Sequence, residues 1–210
     1  MKDDDIKEIA AYFIIICEDL ANERSQASMI LPDKYAHIRD FTQNLIFHSY
    51  TRANDALEEG EIDQEQLSEI FWEYLYFFIH LTDRMACSAL GDVARRTVIE
   101  ELGTFAVLAT LKAFNHQGTD STFERHMAHL NSAVSEYSCF TKVVPAAGEG
   151  AKDTLLREFS KKINKIIGSE TNPGALLGEQ MVITQIAENL DIPTFVKAMS
   201  KTKAWWRFWD

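Results

Sequence analysis

The sequence predicts an all-α fold: a multi-helix bundle of about seven to eight helices with no significant β-sheet. Apolar residues recur at helical spacing along most of the 210 residues, and no alternating strand pattern is longer than a few residues. Residues that interrupt helices are also scarce in the first 140 positions, where they are Pro32, Gly60, Gly91, Gly103 and Gly118. A hydrophobic content of 46% is enough for a continuous core.

The boundaries of the first three helices follow from these residues. We expect the first helix over about 4–28, and the second over about 33–58, with Gly60 ending it. Asp63 is the expected cap of a third helix that runs to residue 90. The helical period predicts these inward-facing positions in the first two helices: Ile6, Ile9, Phe13, Ile16, Cys17, Leu20, Tyr35, Ile38, Phe41, Leu45 and Ile46.

The fourth helix is predicted to start with Asp92 as its N-cap, directly after the stop at Gly91, and to end near residue 114. It is rich in small side chains, which allow a bulky neighbour to come close. We expect that neighbour to be the third helix, which is rich in phenylalanine. The small residues are Gly103, Ala106, Ala109, Thr110 and Ala113.

The fifth helix is predicted to run to about residue 143, opened by a capping box of Ser121 and Glu124. The sequence VPAAGEGA at 144–151 then predicts a flexible linker. We therefore divide the chain into a main helical bundle at 1–143, this linker, and C-terminal helices at 152–210 that pack on the bundle and end in an aromatic tail.

Three further helices are expected after the linker. The sixth covers about 155–167, and its outer face is basic through Arg157, Lys161, Lys162 and Lys165. The seventh restarts after Asn172 and Pro173 and ends near residue 190. The eighth has Pro193 in its first turn and runs to about residue 201.

The third helix carries a narrow polar stripe on an otherwise apolar surface. At about 100° per residue its polar members share one face. We predict six of them as ligand-binding residues and leave open whether the stripe faces water, a ligand or a partner. These six are Glu69, Glu73, Tyr76, His80, Asp83 and Arg84, and Cys87 continues the stripe.

Sequence motifs for catalysis and cofactors are missing. No Glu is followed by His three residues later, as a di-iron bundle requires, and neither a nucleophile elbow nor a phosphate-binding glycine loop occurs. His80 and Asp83 lie one turn apart, so Asp83 could orient His80 as a general base. The sequence nevertheless assigns no catalytic residue, no cofactor and no metal ligands, and it favours a protein that is not an enzyme.

Charge is distributed unevenly along the chain. The net charge is -11, with -12 over residues 1–101 and +1 over the remainder. An acidic surface would repel nucleic acid and attract a basic protein partner. Residues 186–193 resemble the first half of a helix-turn-helix, but Asp191 replaces the usual turn glycine and no basic recognition helix follows. We therefore expect a protein partner and no nucleic acid.

The three cysteines, the length of the apolar stretches and the C-terminal tail indicate where the protein is located and whether it assembles. Cys17, Cys87 and Cys139 are expected to be buried free thiols, which indicates a cytoplasmic protein. No apolar stretch reaches the length of about 20 residues that a membrane span requires. The basic aromatic tail is predicted to pack on the core or to hold a partner, including a second copy in a homo-oligomer. Its aromatic residues are Trp205, Trp206, Phe208 and Trp209.

Two functional hypotheses follow. The first is a non-enzymatic interaction or regulatory module that uses its acidic N-terminal half. The alternative is a helical bundle, with or without enzymatic activity, that binds a small ligand or a metal around Glu73, His80 and Asp83.

Overall fold

Eight helices make up the computed structural model, which describes residues 3–28, 32–58, 62–114, 120–144 and 154–201. Side chains are described for 11–23, 36–58, 62–114, 122–144 and 154–201. These ranges contain no β-strand, so the predicted all-α bundle is confirmed. The helices are α1 (Asp3–Ser28), α2 (Pro32–Glu58), α3 (Gln64–Leu90), α4 (Asp92–Ala113), α5 (Asp120–Ser138), α6 (Leu155–Ile167), α7 (Pro173–Asn189) and α8 (Ile192–Lys201).

Helix α3 is the centre of the bundle, and it packs against α2, α4, α5, α6 and α8. Several of its aromatic side chains contact rings of these neighbours. Phe77 stacks on Phe159 of α6 with ring centroids 4.0 Å apart, and Tyr74 meets the same ring edge-on at 5.1 Å. Phe71 makes a similar edge contact with Phe114 at the end of α4. Burial of several large rings on one helix therefore fixes the arrangement of its neighbours.

The predicted inward faces of α1 and α2 are buried wherever their side chains are described. The exceptions are Ile6, Ile9 and Tyr35, which lie outside the described side chains. Two cysteine predictions are wrong: Cys17 is buried, but Cys87 and Cys139 are exposed. Both lie near the end of a helix, where fewer neighbours cover a side chain.

Gly103 is a position of close helix approach, but its neighbour is different from the predicted one. A Cβ atom there would lie 2.7 Å from Cδ2 of Leu130, a buried residue of α5. Helix α4 also packs along α3, as expected. The missing side chain at Gly103 therefore allows α5 to approach α4 closely.

The ends of the helices are largely as predicted. Asp63 caps α3 by accepting hydrogen bonds from the backbone N–H groups of Glu65 and Gln66, and the side chain of Gln66 completes a capping box. Gly168 ends α6 in the left-handed conformation, and Asn172 caps α7. Two N-caps differ from the prediction. Gly91 precedes α4, so Asp92 is its first helical residue, and α5 already begins one residue before Ser121.

Helix α5 ends at Ser138, five residues before the predicted end. The backbone at Lys142 and Val143 instead accepts hydrogen bonds from the N–H groups of Leu155 and Leu156, at 2.9 and 3.1 Å. Arg84 of α3 donates to two further carbonyls in this stretch. These contacts outside the helix satisfy four carbonyl groups that a helix ending at residue 143 would leave unpaired in its last turn.

The C-terminal helices lie against the bundle, with α6 and α8 both contacting α3 and α8 also contacting α2. Residues 145–151 of the predicted linker lie outside the described residues, and the division at 144–151 stays a prediction. In the described part of the chain, no helix is long and apolar enough to cross a membrane.

Candidate functional site

The polar stripe of α3 is mostly covered by other helices. Glu69 and Cys87, at its two ends, are exposed. Between them, Tyr76 and His80 are buried, whereas Glu73, Asp83 and Arg84 are half-buried. The stripe is therefore an internal polar interface along its middle, and its contacts decide what chemistry it can perform.

Glu73 lies at the centre of a small network that joins α3, α5 and α6. Its carboxylate accepts a hydrogen bond from the hydroxyl of Tyr137 at 3.1 Å and pairs with the ammonium of Lys162 at 2.9 Å. Burial and the charge of Glu73 raise the pKa of Tyr137. Burial lowers the pKa of Lys162, but the hydrogen bond and charge of Glu73, with those of Glu136, outweigh it and raise that pKa overall. Both partners therefore stay protonated at neutral pH.

Tyr76 also contacts α5 through a side-chain hydrogen bond. Its hydroxyl lies 2.9 Å from Nδ1 of His126, whose ring stacks on Trp72 with centroids 3.8 Å apart. Burial, followed by the charge of Glu73, raises the pKa of Tyr76. The half-buried His126 thus packs at the α3–α5 interface.

Asp83 and Arg84 diverge from each other, as the helical geometry predicts. Asp83 pairs with Arg95 of α4 at 3.3 Å. Burial raises the pKa of the Asp83 carboxyl, and the charges of Arg95 and Arg84 offset this rise only in part. Arg84 donates hydrogen bonds to the carbonyls of Phe140 and Thr141, the second at 2.9 Å. These two side chains tie α3 to α4 and to the segment after α5.

His80 is the exception among these contacts. It is 1% exposed, and neither ring nitrogen has a hydrogen-bond partner. Its ring lies 5.6 Å from that of Tyr137. Burial, and then the nearby charge of Arg84, lower the pKa of His80 to about 4, so the imidazole is neutral at pH 7. The expected hydrogen bond to Asp83 is not formed, and the orientation needed for a general base is missing.

Between its exposed ends, the stripe thus consists of groups that already have intramolecular partners, together with one neutral buried imidazole. Among the described residues, no group of three or more His, Cys, Asp or Glu side chains could hold a metal ion. The ligand-binding assignment of the stripe stays a prediction, while its observed contacts hold α3 against α4, α5 and α6.

A second candidate site is the outer face of α1. Phe13, Cys17 and Leu20 are buried, but Tyr12 and Ile15 are 44% and 55% exposed. Ile14 is also exposed, and the carboxylates of Glu18 and Asp19 lie on the same solvent side. We call these five residues the α1 outer face: Tyr12, Ile14, Ile15, Glu18 and Asp19. The signal in the sequence was the run of apolar residues that continues around the helix beyond the inward face.

Acidic side chains dominate the exposed surface of the N-terminal half. Among the described side chains of residues 11–101, Arg96 is the only exposed cation. Arg39, Arg52, Arg84 and Arg95 are all partly covered. The exposed carboxylates in the same range are Glu18, Asp19, Glu23, Asp40, Asp55, Glu58, Asp63, Glu65, Glu69, Asp92 and Glu100.

Helix α7 borders two depressions that the sequence did not indicate. An open groove of about 670 Å³ on its outer side is lined by α7 and by Leu156 of α6. A smaller cleft of about 280 Å³ lies between α2 and α7. Near that cleft, Arg52 and Glu179 form an ion pair at 2.9 Å, and the Glu179 side chain is only 3% exposed. These residues are 127 positions apart, and no local pattern indicates such a pairing.

The basic face of α6 borders a third groove, of about 680 Å³. Its lysines are partly neutralised, since Lys162 pairs with Glu73 and Glu136, and Lys161 pairs with Glu158. The predicted basic face is therefore weaker than its sequence implies.

Comparison with protein-family models, with curated proteins and with solved structures finds no match for this chain. The predicted partner-binding residues Trp205, Trp206, Phe208 and Trp209 lie outside the described residues.

Proposed function

We propose that this protein is a non-enzymatic protein-interaction module whose acidic N-terminal half binds a basic partner. The observation that carries the proposal is the α1 outer face, where exposed apolar side chains lie beside carboxylates. Glu23, a little further along α1, pairs with Lys112 at 3.0 Å, whereas Glu18 and Asp19 have no ion-pair partner among the described side chains. Apolar contact area surrounded by charge is typical of a surface that binds another protein.

The chemistry of this face specifies the kind of partner. Ile15 lies at the centre of the exposed side, with Ala11 one turn before it and Asn22 two turns after it, and both of these are exposed. Neither side chain is bulky, so a second helix can approach closely along this ridge. A partner helix with apolar residues on one face and Lys or Arg at its margins would cover Ile15 and place its cations near Glu18 and Asp19.

The contacts of the α3 stripe support this proposal over a small-ligand or metal site. Glu73 and Asp83 each face a cation of the same chain, and a ligand would have to displace Lys162 or Arg95 to reach them. His80 is enclosed by the core. A cytoplasmic location goes with the proposal, because free cysteines are typical of a reducing compartment.

The test uses a synthetic amphipathic helix of leucine and lysine, labelled for fluorescence anisotropy, and a matched leucine and glutamate peptide. We expect the lysine peptide to bind the full chain at low salt and to weaken as salt rises, and the glutamate peptide not to bind. Ile15→Gln and the double variant Glu18→Lys/Asp19→Lys should each weaken binding at least about tenfold, which corresponds to about 1.4 kcal/mol.

The control variant is Glu124→Lys/Glu170→Lys, which changes the net charge equally at two exposed positions of the other half. It should bind the lysine peptide nearly as tightly as the wild type. An equal loss in both double variants would mean that only total charge matters, and the α1 outer face would then not be the site. No binding by the wild type would refute the proposal itself.

A further inference from the structure

The outer side of α7 exposes two large apolar residues one helical turn apart. Leu177 and Met181 are 61% and 67% exposed, more than most large apolar residues of the described chain. The opposite side of the helix is buried through Glu179, Ile183 and Ile186. We call the exposed side, with the depression of about 670 Å³ beside it, the α7 groove. The depression itself is lined by Leu156, Gly178, Gln180, Met181, Val182, Thr184, Gln185 and Glu188.

The shape and chemistry of the α7 groove suit flat aromatic side chains. Apart from the adjoining residues and the nearby backbone of α7 itself, nothing lies within 4 Å of the position that a Cβ atom would occupy at Gly178, so a ring can rest against the helix there. The thioether of Met181 makes favourable contacts with aromatic rings, and it adapts to their shape because the side chain is unbranched. Glu188 adds a negative charge at the rim.

A segment of matching chemistry follows α8 directly. Residues 202–210 contain four aromatic residues, namely Trp205, Trp206, Phe208 and Trp209, together with the cations Lys203 and Arg207. Helix α8 ends at Lys201, and only Leu190 and Asp191 separate it from α7. Asp191 has a φ of 45°, so the chain turns sharply between these two helices.

The length of this segment is sufficient to reach the groove. Helix α8 rises about 15 Å over its ten residues, and Met181 lies about 12 Å from the end of α7. Nine extended residues span up to about 30 Å, which is about the sum of these two rises, so the tail can reach the groove when the chain turns between α7 and α8. Along an extended tail, Trp205 and Trp209 are about 13 and 26 Å beyond Lys201.

We propose that residues 205–209 of this same chain pack in the α7 groove. The tail thereby covers Leu177 and Met181, and Arg207 or Lys203 approaches Glu188. This removes from water an apolar patch in the C-terminal part of the sequence, whereas the α1 outer face lies in the N-terminal part. The contact of the tail with the groove is then intramolecular.

The experiment follows the tail tryptophans by fluorescence. The chain has four tryptophans, and Trp72→Phe leaves only the three in the tail. In this background we expect blue-shifted emission that is protected from acrylamide quenching. Met181→Gln should shift the emission to the red and increase quenching, since the polar side chain weakens the apolar contact. The control is Met85→Gln, which changes an exposed methionine on α3 and should leave both unchanged.

Two results would overturn the proposal. Emission typical of water-exposed indole that does not respond to Met181→Gln would mean that the tail is not in the groove. A blue shift that disappears on dilution would mean that a second copy supplies the tail. If Trp72→Phe fails to fold, the Met181 methyl resonance of the wild type replaces fluorescence. It should lose its ring-current shift when the chain is truncated after Ala204, and an unchanged resonance would refute the proposal.

Discussion

The folded protein should lose stability as the pH falls from neutral to mildly acidic, because His80 binds a proton more readily in the unfolded chain. The folded pKa is lowered to about 4 from an ordinary value of 6.5, so the unfolded chain binds a proton in this range while the folded chain does not. Stability from this group is therefore fully present above pH 6.5 and is lost as the pH falls towards 4. The cause is burial, reinforced by the cation Arg84 one turn away on α3.

The magnitude follows from these two pKa values. Between pH 7 and pH 5 the full shift would lower the free energy of unfolding by about 2 kcal/mol. We expect about 1 to 2 kcal/mol, because water partly screens the half-buried Arg84. His80→Leu removes the titrating group at similar volume. It also removes two buried nitrogens without partners, so the variant should be at least as stable as the wild type at pH 7.

The assay is urea unfolding followed by circular dichroism at pH 7 and pH 5. The difference in unfolding free energy between the two pH values should be smaller in His80→Leu than in the wild type by about 1 to 2 kcal/mol. The control is His129→Gln, which removes an exposed imidazole of α5 and should keep the wild-type difference. If His80→Leu also kept it, His80 would not be the buried neutral group described here.

Three further predictions concern contacts that position the helices, and all are read from the free energy of unfolding in urea. Asp63→Ala removes the N-cap of α3 and should cost about 1 kcal/mol, and an unchanged stability would contradict the capping box. Gly103→Ala should be less stable than Gly178→Ala by at least about 1 kcal/mol, because only the first places a Cβ atom against Leu130. Lys162→Met and Glu73→Gln should show a coupling energy of about 0.5 to 1 kcal/mol in a double-mutant cycle, whereas strictly additive effects would mean that the pair contributes nothing.

The helices could be predicted because their signals are local. Asp63, Gly168 and Asn172 are residue types that favour helix ends, and each acts at the position where the sequence places it. The end of α5 could not be predicted in this way. It depends on Arg84 and on backbone pairing with Leu155, and both contacts come from distant parts of the chain.

The candidate site was predicted only in part, for the same reason. Helical periodicity placed Glu73, Tyr76 and His80 on one face of α3, but periodicity contains no information about what covers that face. The partners Lys162 and His126 are 89 and 50 residues away in the sequence from Glu73 and Tyr76. Their pairing follows from how α5 and α6 dock, which in turn depends on packing of aromatic rings around Phe77.

Internal contacts of arginine side chains make the exposed surface of the N-terminal half more acidic. Most described cations of the N-terminal half are directed to internal partners: Arg52 to Glu179, Arg84 to backbone carbonyls and Arg95 to Asp83. In both ion pairs, Arg52–Glu179 and Arg95–Asp83, the carboxylate is itself covered by other side chains. Since Arg96 is the only exposed cation among the described side chains of residues 11–101, the surface there is more uniformly negative than the charge count implies. A basic partner would therefore meet little local repulsion, and its association should slow steeply as salt rises.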